Sequence, residues 1–179
     1  MTIRAATSAD ASAMLAIYAP FVLNTTFSFE YTVPTVAGFA QRIETIRERF
    51  PYLVAEQDGR IMGYAYASAH RDRAAYQWSV DTSVYIHPDA HRQGMARQLY
   101  TTLFDLLRRQ GMYNVYAGIT LPNPASEAFH RSMGFRPVGV YENVGFKFGA
   151  WHSATWLQMA LQPHEPDPVP PMLFSDLPK

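Results

Sequence analysis

The residues best suited to chemistry surround Gly94. A β-branched and aromatic segment, Trp78–Ile86, precedes this glycine-centred turn, and an amphipathic helix follows it. Gly94 and Ala96 carry little or no side chain, so backbone N–H groups at the helix start could approach an anion such as a pyrophosphate. The helix dipole adds to that attraction. The turn lacks Gly-Lys-Ser/Thr and Gly-x-Gly-x-x-Gly, which disfavours ATP and NAD. Coenzyme A is the remaining natural candidate.

Other reactive groups narrow the chemistry further. The chain has no Cys, which excludes disulfides, cysteine-rich metal sites and a cysteine nucleophile. Among the 6 His residues, His87 and His91 have a four-residue separation. Pro88 lies between them, and a His-Glu-x-x-His pattern is absent. We therefore expect no metal cofactor.

Length and charge define the broad class of protein. A chain of 179 residues, of which 48% are hydrophobic, is long enough for one buried core and too short for two ordinary domains. Lys+Arg and Asp+Glu are both 15, so a nucleic-acid partner is disfavoured. No segment approaches the roughly 20 apolar residues needed to cross a bilayer, so we expect a cytoplasmic protein without a membrane partner. We predict one domain over 1–161 and a solvated, partly disordered Pro-rich tail over 162–179.

Hydrophobic periodicity and turn residues predict a mixed α/β domain. Thr7 or Ser8 could cap the first helix and Thr35 the second. Asp58-Gly59 predicts a tight turn in an antiparallel hairpin. The predicted strands are Thr2–Arg4, Tyr52–Glu56, Ile61–Ser68, Trp78–Ile86, Tyr113–Ile119, Phe135–Val144 and Trp151–Leu161. Besides the first helix, the predicted helices are one from Thr35 to Phe50, Gly94–Gln110 and Ala125–Met133.

A second motif, Asn123–Phe135, follows the next strand and makes the pattern more specific. Together with the Gly94 turn it resembles the acetyl-CoA-dependent N-acetyltransferases of the GNAT superfamily. The resemblance extends from Ile3 to about Leu161. It is greatest for the phosphinothricin and methionine sulfoximine or sulfone acetyltransferase branch, through Arg49–Glu56, Ser83–Ile86 and Val144–His152. It implies a mixed, mostly antiparallel sheet that is flanked by helices and splayed where acetyl-CoA enters.

The resemblance assigns the cofactor site to a strand edge, the turn and the second motif. Backbone groups of the strand would bind the pantetheine, and the turn would bind the pyrophosphate. Asn123 could also cap its own helix. The implied acetyl-CoA residues are Val84, Tyr85, Ile86, Arg92, Gln93, Gly94, Met95, Ala96, Arg97, Asn123 and Ser132.

Two residues are implied as catalytic. Asp81 aligns with the acidic residue, usually Glu, that lies beside the substrate amine, and it would act as the base directly or through water. The alternative is a strand-end acid that only fixes a turn. His130 lies where many superfamily members have a Tyr that protonates the CoA thiolate. A helix His that is hydrogen-bonded to the core is the alternative for this position.

The acceptor side is implied to contain a basic loop and aromatic segments. Arg71 and Arg73 lie in the loop before Asp81, and Arg73 is favoured for the acceptor carboxylate by family position. The phosphinothricin enzymes typically have His where this chain has Phe148, whereas the methionine-derivative enzymes often have Phe. The implied substrate-binding residues are Phe29, Glu30, Arg73, Ala74, Ala75, Tyr76 and Asp81, with Lys147, Phe148 and Trp151 completing a pocket near a dimer interface.

We therefore expect acetyl transfer to the α-amine of a small amino acid analogue by a homodimeric enzyme. His91 replaces the Arg or Gln that usually begins the superfamily turn, with a modest expected effect because backbone amides hold the anion. Two alternatives stay open, an acetyltransferase for a peptide N-terminus or another amine such as a polyamine, and a non-catalytic CoA-binding sensory module.

Overall fold

The computed structural model describes residues 1–178 and is built on one seven-stranded sheet in the order β1-β2-β3-β4-β5-β7-β6. All neighbouring strands are antiparallel except β4 and β5, which are parallel. The predicted mixed, mostly antiparallel sheet is therefore confirmed. The strands are β1 (Thr2–Ala5), β2 (Tyr52–Gln57), β3 (Arg60–Ala69), β4 (Ser79–Ile86), β5 (Asn114–Thr120), β6 (Arg136–Lys147) and β7 (Ala150–Ala160).

Four α-helices flank the sheet, and local sequence signals set their ends. Thr35 accepts a hydrogen bond from the Gly38 N–H at 3.0 Å and so caps the second helix. Gly111, with φ of 89°, ends the third helix in the left-handed conformation that glycine adopts readily. The helices are α1 (Ala11–Asn24), α2 (Val36–Arg49), α3 (Met95–Gln110) and α4 (Pro124–Ser132).

Most predicted boundaries agree with the structure to within a residue or two, with two informative exceptions. A 3-10 turn, Ser8–Asp10, separates Thr7 from α1, so the reciprocal bonds of Thr7 and Asp10 cap that turn rather than the α-helix. β6 continues to Lys147, three residues beyond the predicted end, because β-bulges let it follow β7 to the hairpin. The long β6–β7 hairpin extends the sheet toward the loop after α1.

The core is divided between the two faces of the sheet. On one face, α3 and α4 pack against β4 and β5, with Leu99, Leu103 and Val115 fully buried. On the other face, α1 and α2 cover the aromatic side chains of Tyr52 and Tyr64. Since side chains alternate along a strand, neighbouring β4 residues face opposite sides of the sheet. Each face therefore receives a different set of functional groups from the same strand.

The Pro-rich tail, predicted to be solvated and partly disordered, is mostly exposed over its described residues, but it also makes hydrogen bonds with the domain. The indole N–H of Trp78 donates to the Val169 carbonyl at 2.9 Å, and the buried Gln110 amide donates to the Met172 carbonyl at 2.8 Å. The Met172 N–H returns a bond to the Gln110 carbonyl at 2.9 Å. Proline lacks an N–H but keeps its carbonyl and an extended backbone, and extended carbonyls are suited to accept bonds from side chains of a folded domain. The tail thus packs across the ends of α2 and α3.

Candidate active site

The separation of β4 from β5 opens a cleft of about 660 Å³ in the sheet. The two strands pair only from Ser79 with Asn114 to Asp81 with Tyr116, and they diverge beyond that point. Within residues 1–178, the β5-facing edge of Thr82–Ile86 therefore has no strand partner. Val84, Tyr85 and Ile86, the residues predicted to bind the pantetheine, lie along that free edge and line the cleft.

The Gly94 turn forms one wall of the cleft. Arg92 and Gly94 both have left-handed backbone conformations, with φ of 62° and 78°. A Cβ at Gly94 would meet no atom within 4 Å, so this side of the turn faces open space. The first N–H groups of α3 have no acceptor within the helix and are available to an anion. The turn thus has the geometry of a pyrophosphate cradle, lined by Arg92, Gly94, Met95, Ala96 and Arg97.

Two side chains brace this turn. His91 donates from Nε2 to the Ile86 carbonyl at 3.1 Å and so closes the connection from β4. Arg97 donates to the Ser132 hydroxyl at 2.9 Å, while that hydroxyl donates to the Phe129 carbonyl at 2.7 Å. Ser132 therefore links α3 to α4 and is absent from the cleft lining. Gln93 donates to the Asp89 carbonyl at 2.8 Å, which makes it a second brace.

His130 forms a buried pair with Tyr100 at the base of the cleft. Its Nδ1 lies 2.8 Å from the Ser126 carbonyl, which can only accept, so Nδ1 carries the proton. In the neutral ring Nε2 then accepts from the Tyr100 hydroxyl at 3.1 Å. Burial lowers the pKa of His130 and raises that of Tyr100. Both side chains line the cleft, and Asn123 caps α4 by accepting from the Ser126 N–H at 3.2 Å.

Asp81 lies at the point where β4 and β5 begin to diverge. Its Oδ1 is 2.6 Å from Nδ1 of His70, a residue of the connection after β3. Burial raises the pKa of Asp81, and the hydrogen bond from His70 opposes that rise. Asp81 faces the opposite side of the sheet from Thr82, which lines the cleft, so Asp81 adjoins the cleft lining in sequence without being part of it. Sequence reasoning selected Asp81 and missed His70.

An aromatic cluster surrounds the Asp81–His70 pair. The His70 ring stacks on Tyr116 with centroids 4.2 Å apart, and its edge meets Trp156 at 5.9 Å. The Arg71 guanidinium lies 5.8 Å from the centre of the Trp156 ring. The structure thus brings Arg71 to this cluster, while Arg73 precedes the short 3-10 turn Ala74–Tyr76, and both arginines are exposed. The sequence favoured Arg73 of the two arginines, and the geometry favours Arg71.

The remaining predicted acceptor residues divide into surface and structural groups. The half-exposed Phe29 ring lies directly over Gly145 of β6, where any Cβ would clash with it. Glu30 pairs with Arg42 at 2.7 Å. Tyr76 presents its ring edge to His70 at 6.0 Å, beside Ala74 and Ala75. These residues surround the opening on the side of the sheet that carries α1 and α2.

Lys147, which we predict to help complete a pocket near or across a dimer interface, lies outside the lining of the cleft. Its buried ammonium donates to the carbonyls of Val22, Thr25 and Ser28 at 2.7, 2.8 and 2.7 Å. An ammonium group has three N–H donors, so the set is fully used. Lys147 therefore fixes the loop after α1 against β6. Phe148 and Trp151 are exposed at the tip of the same hairpin.

Residues 1–178 contain neither a cluster of metal ligands nor a membrane-spanning helix. No group of three or more His, Cys, Asp or Glu side chains in that range could hold a metal ion. The His87 ring accepts from the Asp89 N–H at 3.2 Å, and the His91 ring is used in the turn. No helix in the same range has both the length and the apolar character to cross a membrane.

A free strand edge, an anion cradle at a helix start and a carboxylate across the sheet together define an enzyme site for an acyl-CoA and an acceptor. Comparison with known proteins identifies the class, since residues 3–156 match the acetyltransferase (GNAT) domain family. The chain belongs to this family and is an N-acetyltransferase that uses acetyl-CoA. The predicted fold, enzyme class and cofactor are therefore confirmed.

Individual relatives cover nearly the whole chain. It is 39% identical to the phosphinothricin N-acetyltransferase of Alcaligenes faecalis, over 89% of this chain and 82% of that protein. It is 36% identical to the L-methionine sulfoximine/L-methionine sulfone acetyltransferase of Salmonella typhimurium, over 92% and 96%. A GNAT phosphinothricin acetyltransferase from Sinorhizobium meliloti, solved in complex with AcCoA, has a TM-score of 0.87 and 34% identity, covering 97% of both chains.

Proposed function

We propose that this enzyme transfers acetyl from acetyl-CoA to the α-amine of a small amino acid analogue of the methionine sulfoximine, methionine sulfone or phosphinothricin type. The observation that carries the proposal is the cluster of the partly buried Asp81 carboxylate, its partner His70 and the exposed Arg71 guanidinium beside the point where β4 and β5 diverge. A carboxylate can take the amine proton, and an arginine can pair with the acceptor carboxylate. The relatives named for these substrates support the same substrate class.

The cofactor would bind along the free edge of β4 and over the Gly94 turn. Backbone groups of Val84, Tyr85 and Ile86 would pair with the pantetheine, as a further strand would. The N–H groups of Gly94–Arg97 and the nearby Arg92 would hold the pyrophosphate. Bound acetyl-CoA supplies an activated thioester carbonyl at the inner end of the cleft. Asn123, Gln93 and Ser132 act in this proposal as braces of the walls.

Asp81 prepares the nucleophile. An α-ammonium group must lose one proton before its nitrogen can attack the thioester carbonyl, and Oδ2 of Asp81 makes no hydrogen bond within residues 1–178. The partial burial of Asp81 raises its pKa and so makes it a stronger base than an exposed carboxylate. Arg71, with Arg73 at the rim, would orient the acceptor carboxylate. Phe29, Glu30 and Ala74–Tyr76 would enclose the rest of the acceptor.

His130 and Tyr100 serve the leaving group. As the new C–N bond forms and the C–S bond breaks, the thiolate takes the Tyr100 hydroxyl proton, and the second proton lost by the nitrogen returns to Tyr100 through solvent, while Asp81 releases the first proton to solvent. The Tyr100 hydroxyl donates to His130 Nε2 in the resting pair. It can turn toward the thiolate while His130 stays neutral, because burial lowers the pKa of that ring. His130 therefore acts together with Tyr100 in proton delivery to sulfur.

A panel of acceptors tests this function. We expect thiol release from acetyl-CoA with methionine sulfoximine, methionine sulfone or phosphinothricin, and none with spermidine or a short peptide. The exposed Phe148 makes the methionine derivatives the preferred acceptors, as expected from the branch resemblance. Release with only the peptide or the polyamine would overturn the acceptor assignment. Tight acetyl-CoA binding without any turnover would instead support the sensory alternative.

We also propose that two copies of the chain form a homodimer through the β6–β7 hairpin. Val140, Phe146, Phe148 and Trp151 are exposed there, with 61% of Phe148 and 63% of Trp151 accessible. A group of large apolar side chains at one end of a sheet is typical of a surface that a partner covers. Light scattering should give twice the chain mass, and Trp151→Glu should give a monomer. A monomeric parent protein would contradict this assembly.

We place the reaction in the cytoplasm with a small-molecule amine as partner, and we assign it neither a nucleic-acid nor a membrane partner. The formal net charge of zero provides no attraction to a polyanion. The working unit is a single acetyltransferase domain, residues 1–161, followed by the Pro-rich tail 162–179, whose described part, 162–178, packs against it. The tail contributes stability in this proposal and no catalytic group.

A further inference from the structure

The contact between His70 and Asp81 carries an inference that rests on the proposed function and deepens it. The two side chains are 2.6 Å apart, which is short even for a hydrogen bond to a charged group. An ionised carboxylate can only accept, so Nδ1 of His70 must donate. We propose that His70 is a positioning residue whose Nδ1–H holds Oδ1 of Asp81 and leaves Oδ2 to take the proton from the acceptor amine.

The surroundings of His70 support a positioning role because they hold the ring in place from two sides. Its plane is tilted only 13° from that of Tyr116, with centroids 4.2 Å apart. The edge contact with Trp156 blocks rotation in the other direction. The His70 side chain is 12% exposed, and that of Asp81 is 28% exposed. A ring that is already held by contacts on two sides can orient a short carboxylate with little further loss of side-chain entropy.

The need for such a residue follows from the length of the acid. Asp is one methylene shorter than the Glu that the resemblance leads one to expect, so its carboxylate reaches less far and depends more on a fixed rotamer. A hydrogen bond to one oxygen fixes that rotamer and directs the second oxygen outward. His70 also stabilises the ionised form that a base requires. The pair thus compensates for the shorter side chain.

Several titratable groups besides His70 face Asp81, and any pH profile reflects them all. Arg71 lies in the same connection as His70 and favours the ionised form of Asp81. Three tyrosines also face Asp81, one each from β3, the short 3-10 turn and β5. The facing groups are His70, Arg71, Tyr66, Tyr76 and Tyr116. Substituting His70 alone leaves the other four in place, so the change in the profile reports the missing bond.

The test compares His70→Phe, which keeps the stacked ring and removes the donor, with His70→Asn, whose amide can donate from nearly the position of Nδ1. For His70→Phe we expect kcat to fall about 10- to 100-fold with the KM for acetyl-CoA unchanged. Asp81 must be ionised to act, and loss of the bond raises its pKa further. The acid limb of the pH–rate profile should therefore move up by about one pH unit. His70→Asn should recover most of both losses.

A matched control and a substrate-free measurement complete the design. His164 also stacks on a tyrosine, Tyr113, and bonds to Asn114 Oδ1 at 3.0 Å far from the cleft, so His164→Phe should leave kcat and the pH profile unchanged. The Asp81 carboxyl can be followed by ¹³C NMR and assigned with Asp81→Asn. An unchanged titration of that carboxyl in His70→Phe would overturn the role of His70, whatever the acceptor. A shifted titration in an enzyme that acetylates none of the amino acid analogues would overturn only the proposed substrate class.

Discussion

The two sides of the cleft are built from different groups. On the cofactor side, backbone atoms dominate, namely the free edge of β4 and the N–H groups at the start of α3. On the acceptor side, side chains dominate, with Asp81, His70 and Arg71 grouped on aromatic rings. Backbone groups are the same for every residue type, whereas side-chain groups change with each substitution. The cofactor side is therefore suited to one invariant ligand and the acceptor side to a ligand that varies.

This difference also determines how each side is held together. The turn is braced over short distances by His91 and Gln93, which bond to carbonyls within the same segment. The acceptor side depends on contacts between distant segments, such as Lys147 of β6 with the loop after α1. Substitutions can separate the two sides experimentally, because each should disturb one ligand and spare the other.

The largest effect is expected for Asp81→Asn. The amide keeps the size of the carboxylate but cannot accept the amine proton, so kcat should fall about 10²- to 10⁴-fold. The acetyl-CoA Kd from calorimetry should stay within about twofold of the parent value, since the cradle is untouched. Asp105→Asn, which changes only an exposed pair with Arg108, is the matched control. Equal turnover of the Asp81 and Asp105 variants would remove Asp81 as the base.

Lys147→Met should damage the acceptor side selectively. The thioether fills a similar volume but leaves three buried carbonyls without their donor, so the free energy of unfolding should fall by about 2–4 kcal/mol. The loop after α1 carries Phe27 to the cleft and Phe29 to β6. Its loosening should raise the acceptor KM more than the KM for acetyl-CoA. Denaturant unfolding and initial rates measure the two effects, and a variant as stable as the parent would contradict the anchoring role.

Gly94→Val should damage the cofactor side instead. The substitution places a β-branched side chain at a φ of 78° and directs it into the open cradle. We expect the acetyl-CoA Kd to rise about 10- to 100-fold, or about 1.4–2.8 kcal/mol. Gly59 has a similar φ of 73° and equally open surroundings in the β2–β3 turn. Gly59→Val is therefore a control that introduces the same backbone strain without placing a side chain in the cradle. If both variants bind acetyl-CoA equally well, Gly94 does not contact the pyrophosphate.

The same contrast explains what the sequence could predict. The Gly94 turn, the Asp58-Gly59 hairpin and the Thr35 cap of α2 are encoded by neighbouring residues, and the structure has each of them where the sequence indicated. His70 and Arg71 carry no local signal, because their importance comes from stacking on Tyr116 and Trp156, two residues of other strands. Such a cluster can be recognised only when the pairing of the strands is known.

Lys147 and Tyr100 make contacts that the sequence does not reveal, for a related physical reason. A lysine in a strand pattern is usually solvated, and the three carbonyls that bury Lys147 belong to a distant loop. Tyr100 lies within an amphipathic helix, where an aromatic residue fits the core, and its bond to His130 depends on how α4 packs. The assignment of His130 to the cleft was nevertheless possible from its place in the Asn123–Phe135 motif.

The smallest effect is expected from removing residues 163–179, of which the described part, 163–178, lies outside the lining of the cleft. The truncation removes the Val169 carbonyl from Trp78 and the Met172 carbonyl from the buried Gln110 amide. The free energy of unfolding should fall by about 1–2 kcal/mol, because the hydrogen bonds that are lost are neutral and most lie near the surface. Val169→Ala keeps the accepting carbonyl and changes only an exposed side chain, so it should match the parent in denaturant unfolding. A truncated enzyme with a lower kcat would show that the tail supports the active site as well as the fold.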